Sequence, residues 1–241
     1  MMYAYGNMIS STNRLFSGVG SSLLWNGLQA YYTADNTSND ALGTYNGTLV
    51  NGATYGTGII NQGFSLDGVN DTVDFGNVLD FDGSTPFSIS TWVYPRTISA
   101  SSQVPIAKAL NSGVFPGYWI VYSTSGIAFV MRNTSTTNEL SIRNSFTPTI
   151  NTWYNILITY DGSKSSAGLK VYVNGSLGTQ VVLANTLTGS ISTTQSLKIG
   201  ARQNTNYSNS IVDETAFWNR ELTSSEVTEL YNSGVGKQYP N

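Results

Sequence analysis

From Gly27 onward, apolar and polar side chains alternate in short runs, and nearly every run is closed by Gly, Asn or Asp. Alternation over about 4–8 residues marks a strand with one buried face. GLQAYYTAD opens the series. QGFSLDG and DTVDFG read as two strands about a turn at Asp67–Asp71. PFSISTWVYP (86–95) sets Phe, Ile, Trp and Tyr against Ser, Val and Pro and predicts a half-buried strand. GYWIVYS and GIAFVMRN (117–133) predict a hairpin, and NTWYNILITYDG (151–162) another strand. LKVYVNGSLGTQ (169–180) predicts a strand, an Asn-Gly turn and a return strand, since Asn-Gly between alternating runs is a strong hairpin signal. SLKIGAR (196–202) and IVDETAFWNR (211–220) complete a set of roughly a dozen strands with turns about every ten residues, the spacing of a sandwich or jelly roll. The segment 41–58 reads as turn, with Asn-Gly pairs at Asn46 and Asn51.

One stretch keeps helical spacing. Thr223-Ser-Ser-Glu226 is a capping box, Val227, Leu230 and Tyr231 follow on one face, and Gly234 is placed to end the helix. Residues 1–26 keep neither period. They predict an N-terminal arm, an assembly or docking segment, ahead of a single domain over 27–241.

Composition narrows the chemistry. The 241 residues hold no Cys and no His, which removes disulfides, thiolate nucleophiles, imidazole metal ligands and His-dependent triads. Only 10% of residues are charged, with net charge −3, so nucleic acid is not an expected partner. Aromatic residues at 12% support a folded chain. The first 26 residues lack a basic start followed by an apolar run, and no stretch approaches the ~18 apolar residues of a membrane span. The expectation is synthesis in a host cytoplasm with no membrane insertion.

The ordered pieces GLQAYY, Asn46-Gly-Thr-Leu, FSLDGVNDTVDFG, PFSISTWVYP, TWYNILITYDG, LKVYVNG, LKIGAR and VDETAFWNRELTSSEVTELYNSG together resemble a laminin G-like, concanavalin A-like jelly-roll domain over residues 27–236. The resemblance implies an all-β fold, two antiparallel sheets face to face, with a short C-terminal helix. It implies glycan or protein binding, often with one calcium ion. Some relatives are glycosidases, and such domains also serve as adhesive modules on bacteriophage virions. The chain departs from the pattern after the first strand, where Asp35 stands alone in place of an acidic pair.

Glycoside hydrolysis asks for two carboxylates about 5–9.5 Å apart on a cleft. The five glutamates, at 139, 214, 221, 226 and 229, form no E-x-D-x-E run, and Glu214 adjoins Asp213, whose side chain should point to the opposite face of a regular strand. For a metal, Asp67, Asn70 and Asp71 crowd one turn, and the resemblance allows Asp67 and Asp213 to bracket one calcium ion; Asx turns onto their own backbone are the competing reading. For a glycan, the candidates are Tyr118 and Trp119 in mid-chain and Asn206 and Tyr207 in an Asn-rich loop, while Trp92, Trp153 and Trp218 read as core.

The favoured reading is a non-enzymatic adhesive or structural protein of a bacteriophage virion, a capsid decoration or appendage subunit. Its partners would be copies of itself or capsid proteins, and a cell-surface glycan. It would reside in the virion, or in the cytoplasm and outside after lysis. A free, calcium-assisted lectin is the alternative, and a glycoside hydrolase stands third.

Overall fold

The computed structural model describes residues 23–99, 101–110, 116–133 and 137–240. Its strands in chain order are β1 Leu28–Tyr32, β2 Thr48–Val50, β3 Thr54–Thr57, β4 Gln62–Asp67, β5 Thr72–Asp74, β6 Phe87–Pro95, β7 Gln103–Ala109, β8 Gly117–Ser123, β9 Gly126–Arg132, β10 Glu139–Asn144, β11 Tyr154–Tyr160, β12 Leu169–Val173, β13 Gln180–Asn185, β14 Lys198–Ile199 and β15 Asn209–Trp218, with one α-helix, α1 Ser224–Tyr231. They form two antiparallel sheets. One runs β12-β11-β6-β15-β4-β3, with β1 also on β15; the other runs β13-β10-β9-β8-β7-β14-β5-β2. This is the expected concanavalin A-like jelly-roll sandwich with a short C-terminal helix.

The inward side chains of both sheets make one core, including Phe87, Ile89, Val93, Ile156 and Ile158 from the first and Ile106, Tyr118, Ile120, Phe129 and Met131 from the second. Burial of that many large apolar groups is the main stabilising term, at ~25 cal/mol per Å² removed from water.

Three turns cross between the sheets, including the one at Asn174-Gly175 that sequence reads as a hairpin. Asn51-Gly52 joins β2 to β3, the Asp67–Asp71 turn joins β4 to β5, and Asn174-Gly175 precedes a strand, β13, that pairs with β10 rather than β12. Asn174 does take the positive φ of an Asn-Gly turn, and Val173 bridges Ser176, but the chain then leaves the sheet. Local turn chemistry does not encode which sheet the next strand joins.

PFSISTWVYP is buried on both faces rather than one. A second apolar layer covers the outer face of the seven-stranded sheet: Tyr31, Leu157, Ala216 and Trp218 lie under Val227 and Leu230 of α1 and under Leu24. The serines of β6 find partners there. Ser88 Oγ donates to Arg220 O and accepts from Leu222 N, and Asn155 Nδ2 donates to Ser90 Oγ. Of the predicted N-terminal arm, residues 1–22 lie outside the described residues; Leu23–Trp25 form a 3-10 turn whose Leu24 carbonyl accepts from the Trp218 indole. Arg220 ties this entry to α1, donating to the carbonyls of Leu23, Leu24 and Asn26 and to both oxygens of Glu226.

The capping box is present, with Thr223 and Glu226 each satisfying the other's backbone N–H. Asn232 in the left-handed conformation, not Gly234, ends α1. Trp92 and Trp218 are core, whereas Trp153 precedes β11 and is half-buried against Tyr94. Thr223→Ala should lower stability by about 1 kcal/mol, because the cap leaves an amide unserved. Urea titration checks this, and an unchanged midpoint would show that the helix is held by packing alone.

Candidate functional site

Strand alternation gives the eight-stranded sheet an outer face as well as a core face. Tyr118, Ile120 and Tyr122 of β8 point inward; Trp119 and Val121 point out. The register carries one row across this outer face: Ser141, Val130, Trp119, Ala107, Lys198 and Asp74. Trp119 is flanked by two guanidinium groups, with Arg132 5.4 Å and Arg202 5.0 Å from the ring centroid. Such contacts are worth about 0.5–2 kcal/mol each. Glu139 accepts from Arg132 Nε at 2.7 Å and from the Ser141 hydroxyl at 2.6 Å. Arg202 Nη2 donates to Asn206 Oδ1 at 3.2 Å, and Asn206 Nδ2 donates to Ser102 O. Burial and the neighbouring charge of Arg132 both lower the pKa of Arg202.

Two of the four glycan candidates therefore meet: Trp119 and Asn206 are joined through Arg202. Tyr207 is half-buried on the same loop. Tyr118 is 1% exposed inside the core with its hydroxyl donating to Leu79 O, which removes it from any ligand surface. Trp119 is itself only 4% exposed, so its ring face is not offered to a sugar. Arg132, Glu139, Arg202 and Asn206 around it are half-buried. Sequence reading missed the arginines, although the 117–132 hairpin register already places Arg132 on the face of Trp119.

The predicted metal residues do not converge. Asp67 is exposed and accepts from Val69 N and Asn70 N as an Asx turn, which lowers its pKa. Asp71 is buried, and its two oxygens accept from Gly52 N and Asp67 N, clamping the two crossings together. Asn70 is exposed, its carbonyl accepting from Asn51 Nδ2. Asp67 stands opposite Asn209, four residues from Asp213 along β15, or roughly 13 Å at strand rise. These four residues do not fit one calcium ion, and among the described residues no cluster of three or more acidic side chains suited to a metal forms.

Asp213 has other company. Its Oδ2 accepts from Ile59 N and Ile60 N and its Oδ1 from Glu214 N. Here β15 changes partner: residues 209–212 pair with β4 and 215–218 with β1. A bulge absorbs the change, with Glu214 at φ +45°. Val212 and Phe217 both face the core, so the bulge puts Asp213 and Glu214 on the same outer face, correcting the expected alternation. Gln238 Nε2 donates to both Glu214 Oε1 and Asp35 Oδ2, while Glu214 Oε2 is buried without a partner. Burial raises Asp213 and Glu214 to about 8 each, against the three amides that hold Asp213 down and the Gln238 amide on Glu214.

Acids raised in this way favour folding most when protonated. Their contribution is fullest below the unfolded values near 4 and is lost as pH climbs through 8. Stability should fall between pH 5 and pH 9, and Glu214→Gln should flatten that fall and stabilise the chain at high pH by roughly 2 kcal/mol. Urea midpoints at several pH values test it; a variant whose profile parallels the parent would refute the assignment. Calcium at millimolar concentration and a chelator should give the same melting temperature, and a rise with calcium would restore a metal to this chain.

Residues 67–228 match the family described as the Concanavalin A-like lectin/glucanases superfamily. In sequence, the chain is 32% identical over 135 residues to the Homo sapiens adhesion G-protein coupled receptor D1, which is 55% of this chain and 15% of the receptor. In structure, the binding domain of Paraclostridial Mosquitocidal Protein 1 superposes with TM-score 0.72 and 19% identity over 87% of this chain and 53% of that one. Domain 4 of AbnA, a GH43 extracellular arabinanase from Geobacillus stearothermophilus, in complex with arabinotriose, superposes with TM-score 0.65 and 19% identity over 87% and 98%. Identities this low are likenesses of fold.

Proposed function

The chain belongs to the Concanavalin A-like lectin/glucanases superfamily, and from that premise we propose that it is a non-catalytic binding domain that recognises a glycan with the outer face of its eight-stranded sheet. The observation that carries this reading is the group Arg132, Arg202, Asn206 and Glu139 set around Trp119, on strands and a loop that packing holds in place. Polar donors fixed on a rigid sheet are what orientation-specific sugar binding needs. The arabinotriose-bound relative supports a saccharide as ligand.

The glutamates support a binding role over hydrolysis. Glu139 is tied to Arg132, Glu221 to Lys170, Glu226 to Arg220 and the helix cap, and Glu229 to Lys237, while Glu214 is buried. The calcium-assisted form of the lectin reading lacks its expected donor set.

The wider role we propose is that of an adhesive subunit in a virion or similar assembly. Strand β13 supports it. It is an edge strand, Val182 is 53% and Leu183 49% exposed, and residues 171–197 carry no charge. Edges left without charge are natural pairing sites. No helix among the described residues is long and apolar enough to cross a membrane.

A glycan array with the full chain should give a defined set of hits, and Arg202→Ala should reduce them by about tenfold or more. An array without hits would sink the glycan reading. Sedimentation from the native source should bring the chain down with a large particle and a major capsid protein; a free monomer there would end the virion role.

A further inference from the structure

We infer that β13 is a self-pairing edge: two copies of the chain join antiparallel through this strand about a two-fold axis and fuse their eight-stranded sheets into one. This deepens the reading of the chain as a subunit of an assembly, names a second copy as its partner at this edge, and rests on that reading.

Exposed apolar surface is the first ground. Among the described residues eight large apolar side chains are exposed, and four of them, Phe146, Leu177, Val182 and Leu183, collect at the β13 edge. Ser145 N donates to Thr179 O and Asn144 Nδ2 to Leu177 O, which brings Phe146 and Leu177 to the end where β13 begins. Val182 stands opposite Ile142, yet Ile142 is 2% exposed in the core and Val182 is 53% exposed. The eight-stranded sheet overhangs its partner here: β12 lies over β10, where Asn144 Nδ2 donates to Val171 O, and β13 projects beyond it. Leu183 is the extra residue of a bulge against β10, so two successive side chains stand exposed.

The open edge is the second. β13 pairs with β10 alone, and its six residues make it the longest of the strands that end a sheet. β2 has three residues and β3 four. β12 is blocked, since the Gln180 side chain accepts from Val171 N and donates to Val171 O. On β1 the outer groups of Tyr31 are taken, its N–H by Asp40 and its carbonyl by Ala41 N. The best match that a second copy offers to β13 is therefore β13 itself.

Charge is the third. Residues 144–160 and 171–197, which make and adjoin this edge, hold no charged side chain. A two-fold contact sets each residue near its own copy, so a charge beside the axis would face a like charge. A different partner can be met by complementary charges. A copy of a chain with net charge −3 is met best where charge is absent.

Symmetry sets the rest. A two-fold axis that pairs this edge with itself in antiparallel stands perpendicular to the sheet, so the outer faces of both copies point the same way. From β8 through β9, β10 and β13 to β8 of the second copy is seven strand spacings, which puts the two Trp119 side chains about 34 Å apart. A strip of about 20 by 25 Å on each copy buries on the order of 1,000 Å² in total, the low end for a specific contact.

Sedimentation velocity of the full chain over a concentration series tests the inference. It should show a monomer–dimer equilibrium with a Kd of about 1–100 µM. Val182→Lys and Leu183→Lys should each raise that Kd by about tenfold or more. Val69→Lys, at an exposed turn away from β13, should leave it unchanged, and thermal melts should show all three variants folded. The chain has no Cys, so single cysteines report the contact directly. Under mild oxidation at least one of Val181→Cys, Val182→Cys and Leu183→Cys should give a covalent dimer, and Val69→Cys should not. A chain that stays monomeric at its highest soluble concentration, or a dimer that neither lysine variant weakens, overturns the inference. Growth past a dimer marks a head-to-tail contact and overturns it likewise. Either result with co-sedimentation on the native particle leaves the assembly reading standing. A monomer that is also free in the native source overturns both.

Discussion

Every time this chain leaves a strand, the amides of the turn lose their ladder partners and must find acceptors at the rim of a low-charge sandwich. Aspartate supplies them at many of these turns, with Ser123, Asn144 and Asn174 serving others. Each of the nine aspartates accepts at least one backbone N–H: Asp35, Asp40, Asp67, Asp71, Asp74, Asp80, Asp82, Asp161 and Asp213. Asp40 takes four, from Tyr31, Leu42, Thr44 and Tyr45, and so folds the long connection after β1 around one buried carboxylate. Charge-assisted bonds of this kind are stronger than neutral ones, and a buried amide left without one is costly.

That commitment shapes the chemistry left over. Carboxylates engaged by amides are poor candidates for paired acid and base, and poor candidates for a shared metal. The cations are placed differently. Arg220 stitches the entry of the chain to α1, and Lys108 is fully buried, donating to Asn77 Oδ1 and Gln195 O. Of the others, Arg132, Arg143 and Lys198 share one face through the strand register, and a loop brings Arg202 to it. The sandwich thus has two unlike outer surfaces. One is sealed by α1 and the chain entry with an apolar layer. The other presents guanidinium groups about a tryptophan.

The bulge in β15 is the point where local rule and tertiary need part. A regular strand would send Asp213 and Glu214 to opposite faces. Because β15 must serve β4 with its first half and β1 with its second, one residue is left over, and Glu214 takes a left-handed φ to absorb it. The result is two buried acids side by side, a strained place that no spacing of residue types announces.

Alternation, turn residues and the capping box of Thr223 and Glu226 were enough to determine an all-β sandwich with one terminal helix, because those signals act between residues a few positions apart. The strand β7 was harder, since QVPIAKA holds a proline. The aromatic Trp119 and the loop amide of Asn206 were legible as candidates from their residue types alone. Their union through Arg202, the burial of Tyr118 and the separation of Asp67 from Asp213 were not. Which sheet a strand joins after Asn51-Gly52, Asp67–Asp71 or Asn174-Gly175 is decided by contacts between residues far apart in sequence, and the same long-range pairing decides which charges share a face. Side-chain period is a local property; register across two packed sheets is a property of the whole molecule.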